Sequence, residues 1–513
     1  MSDERKISRR DFIKNAAITG AAVSLSGLWS YSGQGQTSKK VVRVGVRPPT
    51  SINPGVLGDS PGQVMAGVFA DYLFRLRGPE NERTPSLVED YSYSQDRSEW
   101  SFKLREGVKF HHGTELTSKD LKYTVERIMN PDIGSPAKSL FENVERIENE
   151  DRYTTKFYLK NTDPDFDLNF YDYNTPIVAH DFDYEKYGEK RPSGTGPFRI
   201  TSYEPGEKMV MKKNEDYFLP EVPYVDELHF ILVPEASTKR LMLQSGDVDV
   251  LTKVTLSDFK RLEKEEDVYV DYATGGFQAP ISMRSDKPPF DDNRVRLAMK
   301  YAADRRFMLD SVLSGFGDLG HDHPIAPSYK WHTDLGTREQ NIEKAKSLLA
   351  EAGHGGGLKM KLHYPTNIPP CPATALNMQQ VVRPAGINLQ LEGSTSDVYF
   401  SKYWLKANMT VTQWAHRVNV LDVLNLAYKT GAPWNEGHYS NETLDKHIEK
   451  ASTMVDPEVR QKHFTEIQKI LREKGPSVIP FHQASYGAAR KSVKDFWEVR
   501  NGSHELRFVK LEG

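Results

Sequence analysis

The chain has 513 residues, and its 68 Lys and Arg against 71 Asp and Glu give a formal net charge of −3. This length exceeds the roughly 250–300 residues of one hydrophobic core and predicts at least two compact units, while the balanced charge, without long single-sign blocks, disfavours a nucleic-acid partner or a polybasic membrane binder. Cys371 is the only cysteine, which excludes an intramolecular disulfide, a cysteine-rich zinc site and an iron–sulfur cluster, and we expect it to be a buried structural thiol.

The N-terminal segment has the layout of an export signal. Arg9 and Arg10 precede a weakly apolar run that extends to about Leu28, and the stretch SRRDFIK resembles the twin-arginine (Tat) pattern. The run is shorter than the ~20 residues that span a bilayer, and no cysteine follows it for lipid attachment. We therefore expect residues 1–38 to be an export signal and linker, and the mature chain to be soluble, periplasmic and not lipid-anchored. The alternative is a buried N-terminal helix.

The first half of the remaining chain predicts mixed strands and helices. The stretch KKVVRVGV predicts a strand, EWSFKLREGVKF predicts a hairpin, and TSKDLKYTVERIM predicts a helix that begins with a capping box at Thr117 and Asp120. Between Gly194 and Val250, the runs KMVMKK and ELHFILV predict strands, and a short helix is predicted to end at Gly246. This alternation indicates an α/β fold.

The second half continues the same alternation. Asp291 or Asp292 is predicted to cap a helix with apolar residues at helical spacing, and another helix is predicted to end at Gly353. A helix is predicted from about Leu444, and a further one begins with Asp456 as its cap and proline in its first turn. The stretches VTQWAHRV and SVIPFH predict strands.

Motifs typical of catalysis and cofactor binding are absent or in the wrong context. GFGDLG follows a helix and leads into HDHPIAP instead of a second helix, so we do not interpret it as a dinucleotide site. No Walker A loop, H-E-x-x-H or G-x-S-x-G motif occurs. His321 and His323 flank Asp322 in a loop, and the two interpretations are a metal-binding pair and a solvated loop. Because the sequence has no second histidine cluster, the solvated loop is favoured and no metal site is predicted.

Several stretches, in order and spacing, resemble the extracytoplasmic solute-binding proteins of the peptide/nickel ABC-importer family (family 5, cluster C, dipeptide/oligopeptide-binding-like). They are WSFKLREGVKFHHG, GTGPF, LQSGDVD, PPFDDNRVRLAMKYAADR and AKSLLAEAG. His112 stands where the family commonly has Asp. The resemblance implies an α/β, two-lobed periplasmic-binding-protein fold (type II, Venus flytrap) with an extra subdomain inserted in the first lobe.

By this resemblance the ligand is enclosed between the lobes, and hinge closure follows because the contacts with both lobes are complete only in the closed form. Crossings near Phe277–Gln278 and Ser485–Tyr486 would act as hinges. The implied domains are lobe I at 41–277 plus 488–513, with its insert at about 55–188, and lobe II at 278–487.

In the family's peptide binders, the segment that matches QWAHR carries a Trp followed three positions later by an Asp that pairs with the ligand's α-ammonium. Here Trp414 fits, but the third residue after it is Arg417. A guanidinium cannot accept a hydrogen bond and suits a carboxylate or phosphate, which favours a dicarboxylate-like, opine-like or phosphorylated ligand, or a peptide held in another way. Alternatively, Arg417 pairs internally with Asp422 or a lobe I carboxylate, and Trp414 belongs to the core.

The remaining candidates for ligand binding come from both lobes. A surface loop or a turn would explain several of them equally well. In lobe II they are His416, Trp434, Asn435 and His438, and in lobe I they are Arg47 and Asn53.

The resemblance implies a receptor that captures a small solute, either a peptide or a peptide-like or opine-like molecule, including anionic ones. The solute would be delivered to the permease subunits of an ABC importer in the membrane. We expect no catalysis, no cofactor and no nucleic acid, a monomer, and the Tat machinery as an export partner. The alternatives are an exported hydrolase that uses Ser135 and Lys138 as an S-x-x-K pair, and a ligand receptor that is not coupled to transport.

Overall fold

The computed structural model describes residues 39–78, 82–500 and 504–512. The predicted export signal, residues 1–38, lies outside the described residues. Among the helices that are described, none is long and apolar enough to cross a membrane.

The largest sheet is built on buried valines that alternate along its first strand, such as Val42 and Val44. Its strands are β1 (Val41–Val46), β8 (Phe198–Glu204), β9 (Lys208–Lys213), β10 (Glu227–Leu232), β11 (Val250–Leu251), β12 (Val268–Gln278), β14 (Gly317–Leu319) and β19 (Phe481–Arg490). The order is β12-β19-β11-β1-β10-β9-β8, and β14 pairs with β19. β1 pairs parallel with β10 and β11. A short hairpin of β20 (Val493–Lys494) and β21 (Lys510–Leu511) follows this sheet in the chain.

A smaller antiparallel sheet lies between β1 and β8 in chain order, as an extra subdomain requires. Its strands are β4 (Val88–Tyr93), β5 (Glu99–Leu104), β6 (Val144–Asn149) and β7 (Thr154–Leu159), in the order β4-β5-β7-β6. The pair β2 (Phe74–Arg77) and β3 (Glu82–Pro85) accompanies it. Its core is aromatic, with Phe102, Phe157 and Phe170 fully buried and packed ring against ring.

A third sheet is formed by the second half of the chain. Its strands are β13 (Ile281–Met283), β15 (Leu358–Pro365), β16 (Ile387–Ser394), β17 (Met409–Val411) and β18 (Ser477–Val478), in the order β16-β15-β17-β13-β18. The chain passes from the first sheet to this one through residues 279–280 and returns through residues 479–480. The predicted single strand SVIPFH is therefore wrong, because its residues divide between β18 and β19.

The helices follow their local capping signals. They are α1 (Ser60–Phe69), α2 (Ser118–Met129), α3 (Tyr184–Tyr187), α4 (Ala236–Ser245), α5 (Leu256–Leu262), α6 (Asn293–Ala302), α7 (Arg305–Leu313), α8 (Ile342–Glu351), α9 (Cys371–Val382), α10 (Ser396–Val398), α11 (Val420–Ala427), α12 (Glu442–Thr453) and α13 (Pro457–Lys474). The predicted capping box of α2 is present, and Asp292 and Asp456 cap α6 and α13 as predicted. Gly246 ends α4 with φ 82°, a conformation that favours glycine. Cys371 is buried, as expected.

Candidate ligand-binding site

A cavity of about 440 Å³ lies between the smaller sheet and the part of the chain that carries α11 and α13. This volume is in the range of small-ligand pockets. Aromatic rings and charged side chains dominate its walls, which include Tyr91, Tyr93, Arg97, Trp100, Asp165 and Asp167 on one side and Tyr329, Trp331, His416, Asn419 and Arg460 on the other.

A buried ion pair joins the two sides of this cavity. Arg460, near the start of α13, donates from Nη1 to Oδ1 of Asp165 over 2.7 Å, and its Nη2 donates to Oδ2 of the same carboxylate. The Arg460 side chain is 4% exposed and that of Asp165 is 11% exposed. Asn419, which caps α11, adds a longer hydrogen bond from Nδ2 to Asp165. Because the pair is bidentate and shielded from water, it joins the two walls in the arrangement that the structure shows.

The Arg460 guanidinium also shapes the aromatic wall. Its Cζ lies 4.7 Å from the ring centre of Trp331, which stacks on Phe464 at 4.9 Å. The cation and the stacked rings hold the indole in one orientation. Trp331 thereby presents a fixed surface to the cavity.

Carboxylates near the ion pair titrate at unusually high pH. Burial raises the pKa of Asp163 to about 7, and the neighbouring Asp165 carboxylate raises it further while Arg460 opposes the shift. Burial also raises the pKa of Asp167 to about 6. Arg83 and Arg97 lower the pKa of Asp167, but the effect of burial outweighs theirs.

His416 is held in a fixed, neutral state at the back of the cavity. Its Nδ1 accepts a hydrogen bond from the Gly276 backbone N–H at 2.9 Å, and its ring stacks on Tyr329 with centroids 5.3 Å apart. Burial lowers the pKa of His416 to about 3, and the positive charges of Arg500 and Lys253 lower it further. A Cβ at position 276 would lie 2.3 Å from the Tyr329 hydroxyl oxygen, so only glycine allows this packing.

A smaller cavity of about 220 Å³ adjoins the first and shares Leu168, His416, Val418 and Asn419 with it. Its walls carry charges of both signs. The basic groups are Arg417 and Lys253, and the acidic groups are Asp172 and Asp422.

The charges of the smaller cavity are incompletely paired. The Arg417 guanidinium makes no hydrogen bond or close ion pair with any residue that the structure describes, although its charge lowers the pKa of Asp172 and Asp422 against the effect of burial. Burial raises the pKa of Asp422 to about 7. The Lys253 ammonium donates to Ser485 at 3.2 Å and lies 5.1 Å from the Phe277 ring centre. The cavity therefore offers both signs of charge to a bound molecule.

The predicted residue Trp414 lies outside both cavities. It is 7% exposed, and its Nε1 donates to the buried Glu436 carboxylate at 3.0 Å, as does Nε1 of Trp404. Its backbone pairs with Gln278. Trp414 therefore belongs to the core, which was the alternative to a ligand-facing position, whereas His416 and Arg417 line the cavities.

The other predicted residues are distributed away from the cavities. Trp434 is 38% exposed against Trp404 and Trp414. Asn435 is buried and forms hydrogen bonds with the Tyr439 backbone, and His438 donates from Nε2 to the Leu405 carbonyl oxygen over 2.8 Å. Arg47 is exposed, and Asn53 bonds Arg127 and the Tyr184 carbonyl. None of these side chains lines either cavity.

Several residues that line the cavities carry no clear signal in the sequence. They are Lys253, Tyr329, Trp331 and Arg460, together with Asp165 and Asp172. The stretch SYKW contains polar-tipped rings, which is a weak signal for a ligand surface. The Asp165–Arg460 pair spans 295 positions in sequence and has no local signal.

Comparison with known proteins agrees with this architecture. The family profile of the "Bacterial extracellular solute-binding proteins, family 5 Middle" matches residues 82–437. The oligopeptide-binding protein AppA of Bacillus subtilis is 27% identical over 66% of this chain, and the match spans 64% of the AppA length. The glutathione-binding protein GsiB of Escherichia coli K12 is 25% identical over 87% of this chain and 90% of its own.

A solved structure supports the fold independently. The ABC transporter substrate-binding protein CtaP of Listeria monocytogenes superposes with a TM-score of 0.83 at 23% identity, over 92% of this chain and 99% of CtaP. The two-lobed periplasmic-binding-protein fold with mixed α/β sheets is therefore confirmed. The Ser135–Lys138 alternative gains no support, since Lys138 N–H and the Ser135 carbonyl only close a turn. The chain belongs to family 5 of the bacterial extracellular solute-binding proteins, a family of binding proteins and not of enzymes.

Proposed function

We propose that the chain is the receptor of an ABC importer for a small zwitterionic solute derived from amino acids, such as a short peptide or a peptide-like or opine-like molecule. One observation carries this proposal: Arg417 and Lys253 face the same small cavity as Asp172 and Asp422. A molecule with both an ammonium and a carboxylate can satisfy both signs of charge, and charge-assisted hydrogen bonds in a shielded site are strong.

A purely anionic solute fits this arrangement less well. It would pair with Arg417, but its negative charge would also approach Asp172 and Asp422. Because a nearby anion disfavours an ionised carboxylate, the pKa of both acids would rise further. A zwitterion instead pairs its ammonium with these acids and its carboxylate with Arg417. The Asp422 carboxylate has no hydrogen-bond donor among the residues that the structure describes, so an incoming ammonium would be its direct partner.

The larger cavity would hold the rest of the solute. Trp331, Tyr329 and Trp100 provide flat apolar surfaces, and Arg97 and Asp167 provide polar contacts. Such a wall accepts side chains of different shape with little selection. The names of the relatives AppA and GsiB, an oligopeptide-binding and a glutathione-binding protein, agree with a solute of this class.

We also propose the two lobes that the resemblance implies, at about 41–277 plus 488–513 and at about 278–487, and we move the second crossing from Ser485–Tyr486 to residues 479–480, because residues 481–487 belong to β19 of the first sheet. The passages between sheets at residues 279–280 and 479–480 support hinges in this region. Export by the Tat route, a periplasmic location without a lipid anchor, a monomeric state and delivery to membrane permease subunits belong to the same proposal. The extracellular family supports the location only in its coarse form.

Calorimetric titration with matched probes tests the ligand class. Glutathione and the tripeptide Ala-Ala-Ala serve as zwitterions, and N-acetylated and C-amidated Ala-Ala-Ala serve as matched controls. At least one zwitterion is expected to bind at a 1:1 ratio, and blocking either end of the tripeptide is expected to weaken its binding at least about tenfold, or about 1.4 kcal/mol. Equal affinity for the acetylated and free tripeptides, or binding of only dianions, would contradict the proposal. Mass spectrometry of any solute released on denaturation supplies an independent identification.

A further inference from the structure

A cluster of histidines lies in the second half of the chain, beside the wall of the larger cavity. The ring centroids of His321, His323 and His332 form a nearly equilateral triangle, with separations of 5.9, 5.9 and 6.0 Å. His482, at the start of β19, lies close enough for its charge to act on His323. His321 is 8% exposed and His323 and His482 are 0% exposed, so the solvated loop expected from the sequence is wrong.

Most ring nitrogens of this cluster have no hydrogen-bond partner. Within the described part of the chain, Nδ1 of His321 and both ring nitrogens of His323 and of His482 are buried and unpaired. Buried polar groups in native proteins are almost always satisfied, and a group that is not costs stability. The unpaired nitrogens on the neighbouring rings of His321 and His323 therefore indicate a shared partner.

His332 is already oriented in the manner of a metal ligand. Its Nδ1 lies 3.0 Å from the Ile325 carbonyl oxygen and must donate to it, which leaves the lone pair on Nε2. Metal-binding histidines characteristically donate their other N–H to a carbonyl or carboxylate. His332 is half-buried, so it and His321 offer a path for an ion from solvent.

The loop between the first two histidines is held rigidly. Asp322 has φ 63°, a conformation that is uncommon outside glycine. Nη2 of Arg305 donates to both carboxylate oxygens of Asp322, at 2.8 and 2.6 Å. The same carboxylate accepts a hydrogen bond from the Ile479 N–H at 3.1 Å. Asp322 is thus occupied and is not a candidate ligand. Its contacts fix the positions from which His321 and His323 project.

The type of side chain in the triangle limits which ions it can bind. Neutral imidazoles suit Zn²⁺, Cu²⁺ and Ni²⁺, whereas the hard cations Mg²⁺ and Ca²⁺ prefer oxygen.

The side chains require a small adjustment to bind an ion. As they stand, no group of three or more His, Cys, Asp or Glu in the described ranges is placed to hold a metal. With Zn–N bonds of about 2.0–2.1 Å, neighbouring imidazole centroids would lie about 5.2–5.5 Å apart, roughly half an ångström closer than in the triangle. We propose that His321, His323 and His332 form a site for a divalent transition-metal ion of the zinc class. This inference does not depend on the solute that the receptor carries.

Titration of the chelator-treated, dialysed chain with Zn²⁺ in a non-coordinating buffer tests the site. One ion per chain is expected, and His323→Asn is expected to weaken its binding at least about tenfold, in line with the loss of a metal-site residue. The matched control is the double variant His447→Asn/His463→Asn. It removes a pair outside the cluster, whose Nδ1 atoms lie 2.9 Å apart and which could bind zinc adventitiously. Equal binding by wild type and His323→Asn, or loss of binding only in the control, would overturn the site.

Co²⁺ provides a readout that does not rely on a variant that folds. A site of three imidazoles completed by a solvent ligand is expected to give wild-type protein the intense visible absorption of four-coordinate Co²⁺, and the control double variant is expected to retain it. Only the weak spectrum of hexa-aqua Co²⁺, or no saturable binding of either ion, would overturn the proposal. The solute probes are titrated separately, so failure of the metal site and failure of the proposed transport ligand are distinguished.

Discussion

The two adjoining cavities share part of their walls but use charge in opposite ways. In the larger cavity, Asp165 and Arg460 satisfy each other through a bidentate pair. In the smaller cavity, Arg417 and Asp422 line the same space without a hydrogen bond between them. The charges of the first pair neutralise each other within the protein, whereas the second pair remains available to interact with a bound molecule.

This difference distinguishes charged residues that stabilise the fold from charged residues that bind the ligand. A buried guanidinium that has lost its water must find an internal partner, and Arg460 has done so. Arg417 is less buried and retains free donors toward the cavity. Variants of the two sites should therefore divide cleanly into those that change stability and those that change binding.

The largest effect is expected at the paired site. Asp165→Ala leaves the buried Arg460 charge uncompensated and is expected to lower the free energy of unfolding by about 3–5 kcal/mol. Urea unfolding followed by circular dichroism measures the change. The control is Asp310→Ala, an exposed position of α7, for which a change within about ±0.5 kcal/mol is expected. If the two variants unfold alike, the ion pair is not the link between the two walls.

The elements that the sequence predicts correctly are those fixed by local contacts. The capping box at Thr117 and the caps at Asp292 and Asp456 act within one helical turn, so a single sequence contains all the necessary information. The division of SVIPFH between β18 and β19 was missed, because it depends on two sheets that form elsewhere in the chain.

The site is less predictable because its contacts are distant in sequence. The resemblance directed attention to QWAHR, and His416 and Arg417 of that segment line the cavities. Trp414 instead donates to Glu436, a partner that no spacing rule identifies. The sequence predicts a solvated loop for His321 and His323 because His332 joins them only in three dimensions.

The unpaired site should respond in binding and not in stability. Arg417→Gln is expected to weaken the best zwitterionic probe about 10–100-fold, or about 1.4–2.8 kcal/mol, because the probe's carboxylate loses a charged partner. Urea unfolding should stay within about ±0.5 kcal/mol of wild type, since the guanidinium has no hydrogen-bonded partner to lose in the described structure. Arg306→Gln, an exposed arginine of α7 that lines neither cavity, controls for the loss of one positive charge. A stability loss equal to that of Asp165→Ala would show that Arg417 is a structural residue as well.

The smallest effect is expected in the pH dependence of the unliganded chain. Asp422 faces Arg417, which lowers its pKa, and Asp172, Asp163 and Asp165, which raise it, and burial dominates to give a pKa of about 7. In the unfolded chain the pKa of this carboxyl is about 3.9. Between pH 4 and 7 the folded chain therefore holds a proton on Asp422 that the unfolded chain has lost. As a result, the free energy of unfolding falls as pH rises from about 4 to about 7 and then levels off.

Asp422→Asn removes the titrating group. The decrease in the free energy of unfolding between pH 5 and 8 is then expected to be smaller by about 1 kcal/mol, a value reduced to account for screening by solvent in the cavity. The exposed substitution Asp310→Asn should leave the slope unchanged. Urea unfolding at a series of pH values measures both slopes. A bound ammonium favours the ionised carboxylate, so wild-type affinity for the zwitterionic probe should rise as pH increases through 7, whereas that of Asp422→Asn should stay flat. Parallel pH profiles for the two proteins would mean that Asp422 keeps its ordinary titration and does not meet the ammonium, leaving Asp172 as the acid that must do so.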